Sequence, residues 1–450
     1  MENDKNQKLK PFSKFADSEL LSDFIEQGEK PDGTGWDKFV TLVKSEYDVT
    51  DEKEIARVVE KVENYKRASL LIKGFDFDNA IPLLERVVEL DNQFLTGRIE
   101  LGYCYVQTGD SVKAFEFLNN VLEEDPENYR ALCYRGILKE DNDDNSGALE
   151  DFNLAIELEP GKDMAFARRA LLKMKAGDFQ GYFDDMTAAI QIDPEDSNYY
   201  YSRAVAAEHL SDYGSALADY SKMIELNPGS AAIFARRGDL KLKMGDIEGA
   251  KEDMLTAIEL DKTITFAIDS LGVISMESED FTSAINYFTE SLKQDKNNLF
   301  ALKHRAAAYL MTNQYMKVLS DYDTVLRIDQ EDTETLLLRA FLRITLKRVK
   351  EGLADINRVL KLDPENAQAY FHRALAESKM LKYDNVLADC NRALHLDPGI
   401  SEAYYLRGMV KLEYGDPAGA ARDIKKALEL DPENSLFRNA LLELKGNYRP

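Results

Sequence analysis

From residue 61 to residue 434 the apolar side chains fall into two stripes in every 34 residues. Counting within each window, positions 4, 8 and 12 make the first stripe and positions 20, 21, 24, 27 and 28 the second. Both spacings are those of a single helix face. A polar turn separates them, written as Gly109-Asp110, Gly177-Asp178, Gly245-Asp246 or Gly415-Asp416. After the second stripe the chain reads Asp-Pro, as at Asp363-Pro364 and Asp397-Pro398, which ends one helix and opens the next. Each window therefore predicts a helix–turn–helix pair. One pair cannot bury its own apolar faces, so the pairs must stack.

The phase holds without an inserted or deleted residue. Windows start at 61, 95, 129, 163, 197, 231, 265, 299, 333, 367 and 401, giving eleven repeats. Position 32 is Pro126, Pro160, Pro194, Pro228, Lys262, Lys296, Gln330, Pro364, Pro398 and Pro432 from the second repeat onward. Position 8 is Gly or Ala in every repeat, from Ala68 through Gly102, Gly136 and Ala204 to Gly408. A small residue at one fixed point predicts a neighbouring helix too close for a larger side chain. Position 20 is mostly Ala, with Tyr182, Val318, Gly352 and Val386 as departures, and position 24 is bulky.

The flanks leave this phase. Residues 1–16 read as a disordered tail and 17–60 as a helical N-terminal cap. Within the cap, Ser18–Gly28 and Trp36–Tyr47 are short amphipathic helices, and Asp51 opens a longer one towards Lys73 with Glu54 as capping-box partner. Residues 61–434 hold the eleven repeats. Residues 435–450 begin like a twelfth, then depart with Leu442 at position 8, and read as a C-terminal capping helix and tail.

The sequence resembles the tetratricopeptide repeat family. In Ser401–Asn434, Tyr404, Gly408, Ala420, Ala427 and Pro432 all fall on its signature columns. The resemblance implies an all-α fold, a right-handed α-solenoid in which the first helices of the pairs line a concave groove. It implies a scaffold or adaptor that holds a protein or peptide partner there, not an enzyme, and no cofactor. By resemblance, positions 2, 5, 9, 12 and 13 face the groove. The aromatic candidates are Tyr103, Tyr201, Phe266, Phe300, Phe341, Phe371 and Tyr405, with Asp239, Asp269 and Lys303 as charged exceptions. An apolar, aromatic strip suits an amphipathic helix or extended apolar peptide, or the same residues pack between first helices. The carboxylate clamp of the family's chaperone-binding members is missing: Lys303 is the sole position-5 lysine, and Ala307, Leu338, Gln368 and His372 stand where the other clamp residues belong. A co-chaperone that engages its chaperone without the clamp is the alternative.

One pair of columns departs from the family. Position 7, usually Leu there, is Arg in nine repeats, and position 23 is Asp in eight. Within single repeats the pairs are Arg135/Asp151, Arg169/Asp185, Arg203/Asp219, Arg237/Asp253, Arg305/Asp321, Arg339/Asp355, Arg373/Asp389 and Arg407/Asp423. Where position 7 is Leu101 or Leu271, position 23 is Phe117 or Tyr287; only the first repeat, with Arg67 and Leu83, breaks the rule. This covariation between repeats predicts a structural ion pair joining the two helices of one repeat.

Charge changes the picture next. The net charge of −25 is uneven: residues 301–450 hold 23 Lys+Arg against 22 Asp+Glu, leaving 34 against 60 in residues 1–300. Such a surface repels phosphate backbones, so nucleic-acid binding is not expected; the acidity of the first two-thirds either suits a basic protein partner or only keeps a long scaffold soluble. No run is apolar enough for a membrane span, and the polar start, Met1–Lys10, shows no signal peptide. Cys104, Cys133 and Cys390, without a CxxC, predict free thiols in a reducing compartment and hence a cytoplasmic protein. The histidines, His209, His304, His372 and His395, are scattered, and no catalytic or metal motif appears. The acidic loop Glu140–Asn145 is read as a turn, because Ser146 and Phe152 stand where a calcium loop needs Gly and Glu. The sequence leaves the oligomeric state open.

Overall fold

The computed structural model describes Thr41 and residues 51–447. The readings for residues 1–16, Ser18–Gly28 and Trp36–Tyr47 lie outside these. Among the described residues, 23 helices run from Glu52–Lys73 to Ser435–Asn447, and no strand is present. Every repeat start falls on or inside a first helix: Leu95–Thr108, Tyr129–Asp141, Asp163–Lys175 and their successors open on the predicted residue. The second helices, such as Ser111–Glu124 and Asn145–Leu158, begin sixteen residues later. Glu52–Lys73 is the exception in length. It runs through residue 60 into the first repeat as one helix, with Asp51 accepting from the Lys53 amide.

The chain divides into two compact units, residues 1–228 and 229–450. In the first, five complete helix pairs stack in chain order. In the second, six pairs stack and Ser435–Asn447 closes the row, with Phe437 buried and its ring stacked on Tyr405 at 5.0 Å.

Three local devices repeat. The first sits between the helices of a pair. Position 8 lies against position 24 of the same repeat, so a Cβ built on Gly136 would stand 2.6 Å from the Phe152 ring, and one on Gly272 2.6 Å from Phe288. The two phenylalanines at position 24 thus face glycine, while Tyr220 and Tyr322 share their repeats with Ala204 and Ala306. The position-20 alanines are fully buried alongside them. The second is the inter-helix turn. Position 15 takes a left-handed backbone in every repeat: Gly109, Gly177, Gly245 and Gly415 do so freely, and Phe75, Asp143, Ser211, Glu279, Asn313, Lys347 and Leu381 do so against their side chains. The next residue is usually an aspartate that caps the second helix, as Asp110 does at Lys113 and Asp246 at Gly249. The third is the turn between repeats. The position-31 aspartate accepts from the amide two residues on, at Asp193, Asp363 and Asp397 before proline, and equally at Asp261, Asp295 and Asp329 where no proline follows. The aspartate carries this turn, which is why Lys262, Lys296 and Gln330 leave the phase undisturbed.

The cores are strung along each unit and shared between successive repeats. Ala235, Met254 and Ala257 of repeat 6 pack with Ala267, Leu271 and Ile274 of repeat 7. Phe288 and Leu292 pack in turn with Ala301, Leu302 and Ala308. This is the nearest-neighbour construction the apolar stripes require.

Candidate functional site

Two sets of residues merit attention: the charged lattice between helices, and the outward face of the first helices.

The lattice is built on position 7. In all eight repeats that carry Arg and Asp, the guanidinium grips the aspartate of the same repeat through two bonds. For Arg135, Nε donates to Asp151 Oδ2 at 2.9 Å and Nη2 to Oδ1 at 2.7 Å. The Nη2 bond recurs from Arg169 to Asp185 at 2.6 Å, Arg305 to Asp321 at 2.7 Å, Arg339 to Asp355 at 2.6 Å and Arg373 to Asp389 at 2.8 Å. This fork-on-carboxylate geometry is the stronger kind of ion pair. The arginines are partly buried; in repeat 6 the side-chain exposures are 6% for Asp253 and 19% for Arg237. All eight aspartates are buried between the helices: Asp151, Asp185, Asp219, Asp253, Asp321, Asp355, Asp389 and Asp423. A carboxylate enclosed in this way is closed to a binding partner, so these residues belong to the frame of the repeat and not to a recognition surface. Arg67 of the first repeat faces Leu83 in sequence and is exposed.

The within-repeat pair expected from the sequence is present in all eight, and two further partners escaped that reading. The remaining nitrogen, Nη1, reaches back to position 25 of the preceding repeat: Arg135 to Asn119 at 3.0 Å, Arg169 to Asn153 at 2.7 Å, Arg305 to Thr289 at 3.1 Å, Arg339 to Asp323 at 2.6 Å and Arg407 to Asn391 at 2.8 Å. In five repeats a second cation at position 11 joins the same aspartate: Lys139 at Asp151, Lys173 at Asp185, Lys241 at Asp253, Arg343 at Asp355 and Lys411 at Asp423, at 2.7 to 2.9 Å. Asp219, Asp321 and Asp389 take the position-7 arginine without this second cation, because position 11 of their repeats is Ala207, Tyr309 or Glu377. Burial pushes the Asp253 carboxyl up, but Arg237 and Lys241 together hold it below the usual aspartate value; Asp423 is held down in the same way by Arg407 and Lys411.

On the outward face, the seven aromatic candidates divide. Phe266, Phe300 and Phe341 are 47%, 45% and 47% exposed, and Tyr201 is exposed as well. Tyr103, Phe371 and Tyr405 are half-buried. Tyr103 stacks on Tyr134 at 4.5 Å, and Phe341 and Phe371 both lie against His372. Ile99 and Ile137, which share their columns, are buried. The strip is thus part packing and part open surface, and the open part is richest in the second unit. Lys303 is already held by Asp332 at 2.6 Å and Glu334 at 3.3 Å.

In the first unit, the first helices of repeats 1–4 border a half-open cavity of about 500 Å³, lined by Tyr65, Tyr103, Tyr134, Glu100, Arg130 and Arg168 among others. Burial pushes the Tyr65 hydroxyl up to about 12. Arg130 donates to Glu100 at 2.6 Å and to the Tyr134 hydroxyl at 3.1 Å.

Three of the histidines contact neighbouring groups, and His395 is exposed. His209 lies flat on Phe179 at 4.1 Å, His304 contacts the Phe300 carbonyl, and burial lowers the His372 value. The three cysteines are free and buried, and desolvation raises each thiol to about 12. Among the described residues no group of His, Cys, Asp and Glu is arranged to hold a metal ion, and no helix is long and apolar enough to cross a membrane.

Profiles of the tetratricopeptide repeat family match residues 71–133, 167–231, 231–264 and 401–434. A stretch of 70 residues is 39% identical to the BBSome complex member BBS4 of Bos taurus, which is 16% of this chain and 13% of that protein, so the chain spans only a small part of that relative's length. Among solved structures, a tetratricopeptide repeat protein from Parabacteroides merdae aligns at 20% identity over 56% of this chain and 99% of its own, with a TM-score of 0.41. The APC/C hetero-tetramer Cut9-Hcn1 aligns at 13% identity over 90% and 96%, with a TM-score of 0.39.

Proposed function

Since the chain is a tetratricopeptide repeat protein, and such proteins are generally protein-interaction modules, we propose that it is a non-enzymatic scaffold or adaptor that holds a partner segment on the face of its first helices. The single observation that supports this most is the exposure of Phe266, Phe300 and Phe341, near one-half each, on the outward face of the second unit's first helices. Aromatic side chains left in water on a rigid surface are the usual anchors of an interface. A stretch of apolar side chains from a partner, helical or extended, fits them. The co-chaperone alternative finds less support, because Lys303 is neutralised by two carboxylates of its own chain. Free buried thiols favour a reducing compartment such as the cytoplasm.

The test is a co-purification with the full chain and with Phe300→Ser combined with Phe341→Ser. Loss of the co-purifying protein with unchanged helicity and melting supports the groove. Retention of the partner by the double variant rejects these anchors. A melting loss of several degrees in the double variant would assign the two rings to packing instead.

A further inference from the structure

The cavity in the first unit has a charge opposite to its surroundings. Residues 1–300 hold 60 Asp+Glu against 34 Lys+Arg. Yet Arg130, Arg168 and Lys73 all line the cavity, against one carboxylate, Glu100. Glu100 is taken by Arg130. The Arg168 guanidinium is half-buried and, among the described residues, makes no hydrogen bond or ion pair; the same holds for the exposed Lys73 ammonium. A partly desolvated guanidinium without an acceptor is an unmet demand for an anion. Around it stand three tyrosines, with the Tyr103 and Tyr134 rings stacked at 4.5 Å. Flat rings beside a free fork suit a carboxylate carried on a short apolar stem.

We propose that this cavity takes an acidic side chain, Asp or Glu, from a protein segment lying across repeats 1–4, with Arg168 as its main partner. The proposal rests on the reading that the first-helix face holds a partner. It gives the first unit a polar anchor of its own and reverses the sign expected from net charge. An acidic chain repels acidic segments at long range. Any that bind must therefore gain the difference locally, at these cations.

Peptide phage display against the full chain, run in parallel against Arg168→Glu, tests this. The expected result is a set of peptides sharing one Asp or Glu, selected by the native chain and lost on the variant. Fluorescence anisotropy of one such peptide should show a Kd weakened about ten-fold or more by Arg168→Glu, since one charge-assisted pair is worth that much. Replacing its acidic residue by Lys should restore binding to Arg168→Glu. Arg168→Gln should weaken binding less and, because the side chain bonds to nothing in the fold, leave melting unchanged. Peptides that bind native and variant chains alike, or a selection without a shared acidic residue, overturn the assignment. If such peptides are still lost on Phe300→Ser with Phe341→Ser, the aromatic reading survives while this one falls. Binding by a phosphoserine version with the Glu version inert also overturns the carboxylate assignment.

Discussion

Repeats 6 and 7 stand side by side in the second unit and fill the same contact with opposite chemistry. In repeat 6, Arg237 forks onto Asp253 at 2.8 and 2.7 Å and Lys241 adds a third bond at 2.8 Å. In repeat 7 the same two positions hold Leu271, which is buried, and Tyr287, which packs against the same core. Helix lengths and turn positions are the same in both. The backbone therefore does not need the ion pair. What it needs is a matched pair, since a buried charge can be replaced by an apolar neighbour only when both partners change together. Repeat 2, with Leu101 and Phe117, follows the same rule.

Breaking the match in repeat 6 should have the largest effect. Asp253→Ala leaves two cations without their acceptor and should cost about 3 kcal/mol, the low end for a buried pair because Arg237 retains some contact with water. Arg237→Leu with Asp253→Tyr writes repeat 7 into repeat 6 and should stay within about 1 kcal/mol of the native chain. Hydrogen exchange across residues 231–264 reads both locally. Equal losses of protection in the two variants would show that the pair is not the unit of exchange.

A smaller effect should separate two ion-paired repeats. Asp253 keeps Lys241 when Arg237 is lost, whereas repeat 5 has Ala207 at that position, so Asp219 is left with no cation from position 11. Arg203→Leu should thus cost about 1 kcal/mol more than Arg237→Leu, one charge-assisted bond, in urea unfolding. The reverse order would remove the position-11 cations from the lattice.

The smallest effect is with pH. The Asp253 carboxyl titrates below its ordinary value of 3.8, so folding gains from its ionised form. That gain is fully present above the unfolded value and is lost as pH falls through the lower, folded one. Exchange protection in repeat 6 should therefore drop more steeply below about pH 4 than in repeat 7, where the exposed helix cap Asp280 is held down by Ser283 but no buried pair is present. Parallel loss in both repeats would assign the acid effect to something else.

The order of helices was legible because a few columns are nearly uniform: Gly or Ala at 8 throughout, Asp at 31 but for Glu159 and Asn227, and Arg at 7 but for Leu101 and Leu271. The rest was hidden for a physical reason. Position 25 is Asn119, Asn153, Thr289, Asp323 or Asn391, alike only in offering an oxygen, and so it forms no column by residue type. Position 11 likewise mixes cations at Asp185 and Asp355 with Tyr309 and Glu377 beside Asp321 and Asp389, so the second cation leaves no uniform mark. The cavity draws on the same columns in successive repeats, Thr96, Arg130 and Met164 at position 2 and Glu100, Tyr134 and Arg168 at position 6, but each column mixes polar, apolar and charged types, so residue type alone does not mark it. For the aromatic strip, sequence names the rings but not their exposure. Tyr103 is half-buried under Tyr134 of the next first helix, while Phe341 stays open beside His372.

The third nitrogen of the arginine has a mechanical meaning where it reaches the preceding repeat, as at Arg305, Arg339, Arg373 and Arg407 in the second unit. It rivets one repeat to its predecessor, since the Nη1 bond crosses the joint. Leu271 has no such reach, so the joint between repeats 6 and 7 is held by greasy contact alone, which resists separation but not sliding. Under load the second unit should flex at that seam before any other.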